Sequence, residues 1–132
     1  RDIANIPGMT SGKKHILVID DDARMLKVIK LHLHEKYDVA TAISGKIALK
    51  FLETKHTDLI LLDYAMPDEN GLVVLEKLRA NPSTKNIPVI FLTGITDRKK
   101  IQEALVMKPQ GYLLKPINRK RLLAAIQNIL EA

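Results

Sequence analysis

Four short apolar runs punctuate the chain: Ile16-Leu17-Val18-Ile19, Leu59-Ile60-Leu61-Leu62, Val89-Ile90-Phe91-Leu92 and Tyr112-Leu113-Leu114. Such unbroken runs read as strands with both faces buried, the pattern of a parallel sheet. A fifth segment, Tyr37-Asp38-Val39-Ala40, alternates apolar and polar residues and reads as an exposed edge strand. Between the strands, apolar residues recur at helical spacing. That period predicts helices over Ala23 to His34, Gly45 to Thr54, Leu72 to Ala80, Arg98 to Met107 and Arg119 to Leu130. Ser44, Asn70, Asp97 and Asn118 each stand where a side-chain oxygen can accept from an unpaired helix N–H. Strand-then-helix units in succession imply a parallel sheet, because each crossover is right-handed and buries its apolar stripe on the sheet. The predicted class is an α/β three-layer sandwich with helices on both faces.

Composition sets outer bounds. At 132 residues and 46% apolar content the chain can bury one core without metal or disulfide support. Residues 1–14 show no sustained period and contain Pro7-Gly8 and Ser11-Gly12, so they read as a flexible tail, a linker or an expression remnant, leaving 15–132 as the domain. The absence of cysteine excludes disulfide, thiolate-zinc and cysteine-nucleophile chemistry. No apolar stretch is long enough to span a bilayer, and the expectation is a soluble, cytoplasmic protein without a membrane partner. The net charge of +6 raises nucleic-acid binding, but the cations are scattered in short groups and aromatic residues are only 4%. A solvated surface accounts for them better.

The candidate chemistry lies at the carboxyl ends of the predicted strands, where open parallel sheets bind ligands. Asp20-Asp21-Asp22 follow the first strand, Asp63 the third, Thr93 the fourth and Lys115 the fifth. Clustered carboxylates repel by about 4 kcal/mol per pair at 4 Å and an effective dielectric of 20. A cation or protons must offset that, and a single Lys supplies part of it. An oxygen-only ligand set favours a hard divalent ion such as Mg2+ (or Mn2+). A carboxylate beside a divalent cation and an ammonium is suited to attack phosphorus, so the pattern points to phosphoryl transfer to an Asp.

Four stretches resemble the response-regulator receiver family of two-component signalling, in the family's order: Ile16 to Asp22, Leu59 to Gly71, Val89 to Gly94 and Gly111 to Pro116. The resemblance implies a doubly wound, flavodoxin-like sheet of order 2-1-3-4-5. It implies that Asp63 is phosphorylated, and that Asp20, Asp21, Asp63 and the backbone carbonyl of Ala65 hold the metal. Asp22 is then the odd one, facing solvent. Thr93 and Lys115 resemble the residues that contact the phosphoryl group, Tyr112 the aromatic that turns inward when Thr93 moves, and Pro116 the proline after a cis peptide. The implied partners are a sensor histidine kinase or phosphotransfer protein as donor, and an output domain or docking protein on the fourth helix, fifth strand and fifth helix. A phosphorylation-dependent homodimer is also implied. Such a domain assists its own Mg2+-dependent phosphorylation and dephosphorylation without being an enzyme in the usual sense. Gly94 and the turn Met107-Lys-Pro-Gln-Gly111 depart from the family's common residues, and neither removes a chemical group.

The rival reading is a haloacid-dehalogenase-type phosphatase with Asp20 as nucleophile. Against it, Arg24 stands where that family carries a threonine, and the motif around Asp63 is left without a role. Flavin or nucleotide binding finds no glycine-rich loop after the first strand. His15, His32, His34 and His56 lie away from the acidic cluster and read as surface or packing residues.

Overall fold

The structure, a computed structural model, describes residues 12–67, 69–94 and 98–131, with backbone alone considered for 98–101. The elements follow in the order β1 (His15–Ile19), α1 (Ala23–Leu33), β2 (Asp38–Ala42), α2 (Gly45–Leu52), β3 (Leu59–Asp63), α3 (Gly71–Ala80), β4 (Val89–Thr93), α4 (Arg98–Val106), β5 (Gly111–Leu114) and α5 (Arg119–Leu130). All strand pairs are parallel, in the order β2-β1-β3-β4-β5.

The alternation of side chains along each strand divides the core in two. Leu17, Ile19, Ile60, Leu62, Val89 and Phe91 face one way and pack against α2, α3 and α4 through Ala48, Val74, Leu75, Leu78 and Ala104. Ile16, Val18, Leu59, Leu61, Ile90 and Leu92 face the other way, against Leu26, Ile29 and Leu33 of α1 and Leu122 and Ile126 of α5. This is why Ile16–Ile19, Leu59–Leu62 and Val89–Leu92, within β1, β3 and β4, are apolar at every position. Burying each such side chain contributes about 1.5–3 kcal/mol.

β5 differs from its predicted character. Its residues alternate between half-buried and exposed, and Tyr112 and Leu114 are 44% and 52% exposed. The cause is its place at the sheet edge, where one flank has no strand against it among the described residues. β2, the other edge, begins at Asp38 and runs on to Ala42, while Tyr37 is buried just before it. The helix at Gly45 ends two residues earlier than its period suggests, and α3 begins at Gly71, one residue earlier.

Ser44, Asn70 and Asn118 cap α2, α3 and α5 by accepting from Ile47, Val73 and Arg121 backbone N–H groups. The cap expected at Asp97 lies outside the described residues. Of the expected tail, residues 1–11 also lie outside them. Lys14 meanwhile accepts from the Asp38 N–H at 3.0 Å, and the Lys13 ammonium donates to the His34 carbonyl at 3.1 Å.

The turn before β5 is built around Gln110. Its side-chain oxygen accepts from the Val89 N–H at 2.7 Å and from Arg79 Nη2 at 3.3 Å. Its own N–H donates to the Val89 carbonyl at 2.8 Å. Lys108, at φ 53°, makes the left-handed reversal that the chain needs after α4. Gln110 thereby ties the start of β5 to the start of β4. Gln110→Ala leaves the N–H of the buried Val89 without a partner, and a loss of about 1–3 kcal/mol is expected in urea denaturation. An unchanged midpoint and slope show that the bond contributes nothing.

Candidate functional site

β1 and β3 are direct neighbours in the sheet, with Ile19 paired to Leu62. The residues that end or follow them, Asp63 and Asp20, are therefore brought side by side. One oxygen from each of Asp20, Asp21 and Asp63 lies within 4.8 Å of the others, the one such group among the described residues. Asp20 is fully buried, Asp63 is 2% exposed and Asp21 is exposed, so the cluster has a buried floor and an open lip.

Lys115 answers the buried pair. Its Nζ lies 3.0 Å from Asp63 Oδ1 and 3.2 Å from Asp20 Oδ2. The backbone N–H of Lys115 donates to the Thr93 carbonyl at 2.8 Å, which fixes the base of the side chain, and the following Lys115–Pro116 peptide is cis. Thr93 ends β4 between these elements and is 4% exposed. Burial pushes the Asp63 carboxyl up to about 6; the Lys115 hydrogen bond opposes this, and the charges of Asp20 and Asp21 add to it. Burial alone would lower the Lys115 ammonium, but its bonds and charge attraction to Asp63 and Asp20 override burial and hold it above its ordinary value.

The back of the site is tight. A Cβ on Gly71 would lie 2.6 Å from the Asp63 carbonyl and 2.9 Å from the Phe91 ring. Only glycine lets α3 begin this close to β3. The Gly71 N–H donates to the Tyr64 carbonyl at 2.6 Å, and the Tyr64 ring meets Phe91 edge to face at 5.6 Å. Ala65 is exposed at the lip. A hollow of about 330 Å³ opens beside Asp21, lined by residues including Ile43, Lys46, Met66 and Pro67.

Asp20, Asp21, Asp63, Thr93 and Lys115 thus gather at the carboxyl ends of the strands. Tyr112 stands apart, with its ring turned outward. The Asp22 side chain is half exposed, and it has a role that the sequence reading missed. It caps α1 by accepting from the Arg24 N–H at 2.9 Å, while its own N–H donates to Asp20 Oδ1 at 2.9 Å. An aspartate immediately before a helical run was the available signal. The histidines stay at a distance from the cluster: His15 and His56 meet Asp38 and Asp58 at the opposite end of the sheet.

A family model for the response regulator receiver domain matches residues 16–127, and the chain belongs to that family of two-component signalling domains. It is 36% identical over 103 residues to a probable cyclic di-GMP phosphodiesterase of Vibrio cholerae, covering 78% of this chain and 23% of that protein. It is 34% identical over 115 residues to the response regulator PleD of Caulobacter vibrioides, covering 86% of this chain and 25% of that one. The chain therefore spans about a quarter of the length of these two relatives. Among solved structures, the chemotaxis protein CheY4 of Vibrio cholerae superposes with a TM-score of 0.85 at 29% identity, covering 90% of this chain and 100% of that one. A CheY-like receiver domain protein of Methanospirillum hungatei gives 0.83 at 30% identity, covering 91% and 95%. These similarities support no phosphatase reading. No described helix is long and apolar enough to cross a membrane.

The raised Asp63 carboxyl makes stability depend on pH. The folded state holds that proton more tightly than the unfolded chain, so the contribution is fully present below pH 3.8 and is lost as pH rises through about 6. At about 1.4 kcal/mol per unit this amounts to about 3 kcal/mol. With chelator present, urea denaturation should show wild type losing that much relative to Asp63→Asn across the interval. Parallel pH profiles contradict the assignment.

Proposed function

We propose that Asp63 accepts a phosphoryl group from the phosphohistidine of a sensor kinase or phosphotransfer protein, and that this switches the α4–β5–α5 surface for an output domain or docking protein. The observation that carries the reading is the buried Asp20–Asp63 pair bridged by Lys115, with Asp21 at its lip. Three carboxylates with one ammonium leave negative charge uncompensated, and the all-oxygen donor set fits Mg2+ or Mn2+. Asp20, Asp21, Asp63 and the Ala65 carbonyl would hold the ion, which when bound neutralises charge on the phosphoryl oxygens.

An Asp63 carboxylate oxygen attacks phosphorus, the P–N bond to the donor imidazole breaks, and the ring leaves neutral when its other nitrogen carries a proton. Lys115 then moves its attraction from the Asp63 carboxylate to a phosphoryl oxygen, and the Thr93 hydroxyl donates to another. Residues Phe91 and Thr93 of β4 pair in register with Tyr112 and Leu114 of β5, so the two strands move together and carry the change to the exposed Tyr112. One bond to a charged group provides roughly 1.5–3 kcal/mol, whereas moving a population from 1:99 to 99:1 takes about 5.5 kcal/mol. Repacking of Tyr112, a partner's binding energy or pairing of two phosphorylated copies must add to Thr93.

Intact mass after acetyl phosphate with Mg2+ should show a single phosphoryl adduct, absent in Asp63→Ala. In Lys115→Ala it should form about 100-fold more slowly or worse. An adduct that persists in Asp63→Ala moves the acceptor elsewhere.

The methyl of Ala65 offers no group to orient an attacking water, which favours a long-lived acyl phosphate. The companion position in that reading, Ile95, lies outside the described residues. Ala65→Asn should shorten the phosphoryl lifetime several-fold, read by the decay of the mass adduct. An unchanged decay rate counts against this role.

A further inference from the structure

The loop between β3 and α3 carries Ala65, and little within the loop holds that residue in place. The Tyr64 N–H donates to the Leu92 carbonyl at 2.9 Å and the Gly71 N–H to the Tyr64 carbonyl, which fixes the two ends. Among the described residues, Ala65, Met66 and Pro67 make no hydrogen bond. The Met66 side chain is buried in the core, whereas Ala65 and Pro67 are exposed. Between Met66 and the α3 cap at Asn70, the described tether is Glu69.

Glu69 reaches two helices at once. Its Oε2 accepts from Lys77 Nζ of α3 at 2.5 Å, and its Oε1 lies against Gly45, the first residue of α2, in the space that a Cβ there would fill. The unpaired N–H groups in the first turn of a helix favour a negative charge, and α2 has no acidic residue of its own in that turn. Glu69 also borders the hollow that Asp21, Met66 and Pro67 line, so this clamp and the acidic site meet in one cleft. An ion pair as open to water as Glu69–Lys77 contributes little to global stability, so its consequence is local. We infer that Glu69 is a positioning residue for the divalent ion: gripped by Lys77 and by the start of α2, it holds the loop so that Ala65 stays beside Asp63 and Asp21.

This inference rests on the reading in which Asp20, Asp21, Asp63 and the Ala65 carbonyl hold the ion. The competing account is charge alone, in which the Glu69 carboxylate attracts the cation through space. The two accounts part at Lys77. If charge alone acted, removing the Lys77 ammonium would tighten the ion, because the potential at the site would become more negative. If Glu69 acts by position, the loss of its partner on α3 frees the carboxylate and weakens the ion. Glu69→Gln lowers the affinity on both accounts, and Lys77→Met decides between them.

The test is a Mn2+ titration of the full isotope-labelled chain, read by paramagnetic broadening of amide signals around Asp63 and repeated with Mg2+ by calorimetry. Glu69→Gln and Lys77→Met should each weaken the ion about tenfold, the lower end of what residues behind metal ligands contribute. The double variant should bind no more weakly than either single one, as for two side chains acting as a unit. Without metal, the amide order parameters of Ala65 and Met66 should fall in both variants, while thermal melts stay close to wild type. Unchanged affinity in either variant, tighter binding in Lys77→Met, or unchanged order parameters at Ala65 overturns the role of Glu69. So does a melting temperature that falls in step with the affinity, which reduces Glu69 to a residue that supports the fold. Absence of broadening around Asp63 in wild type overturns the ion site itself, so the two failures are told apart.

Discussion

Two carboxylates buried against one ammonium form the constraint on which the rest of this structure depends. The neighbouring positions of β1 and β3 force Asp20 and Asp63 together, and burial deprives both of water. Lys115 must reach them from β5, two strands away from β3, or about 10 Å at the usual strand spacing. A long unbranched side chain crossing the end of β4 meets that demand. Thr93 occupies the end of β4, the strand that lies between β3 and β5. Removing the ammonium leaves two buried carboxylates uncompensated, which is costlier than the loss of a surface pair, whereas removing one carboxylate leaves a matched pair.

Much of this was legible in the sequence because the signals were local and repeated. The runs at Ile16, Leu59 and Val89 are apolar at every position, and the structure places helices on both sides of those strands. The carboxylates after β1 and β3 were visible as strand-end residues, and parallel pairing makes adjacent strand ends into neighbours in space. The caps Ser44, Asn70 and Asn118 follow from side-chain chemistry within three residues.

What was not legible depends on distance in sequence or on sheet position. The bond from Gln110 to Val89 spans a whole helix, and nothing in a Gln-Gly pair announces it. β5 is as apolar as the interior strands in sequence, and only its place at the edge exposes Tyr112 and Leu114. The cap at Asp22 was hidden by its neighbours, because three consecutive aspartates draw attention to metal chemistry and away from the helix that follows.

Gly71 gives the site a direction. With no room behind the Asp63 carbonyl even for a methyl group, the wall formed by β3 and the start of α3 cannot retreat. On the other side lie β4 and the edge strand β5, whose outer flank has no strand against it among the described residues. A phosphoryl group added at Asp63, as proposed, would meet a fixed wall on one side and the edge strand on the other. On the phosphoryl-acceptor reading, bulk gained at the sheet's centre would then be relieved toward the β5 edge and not toward α3.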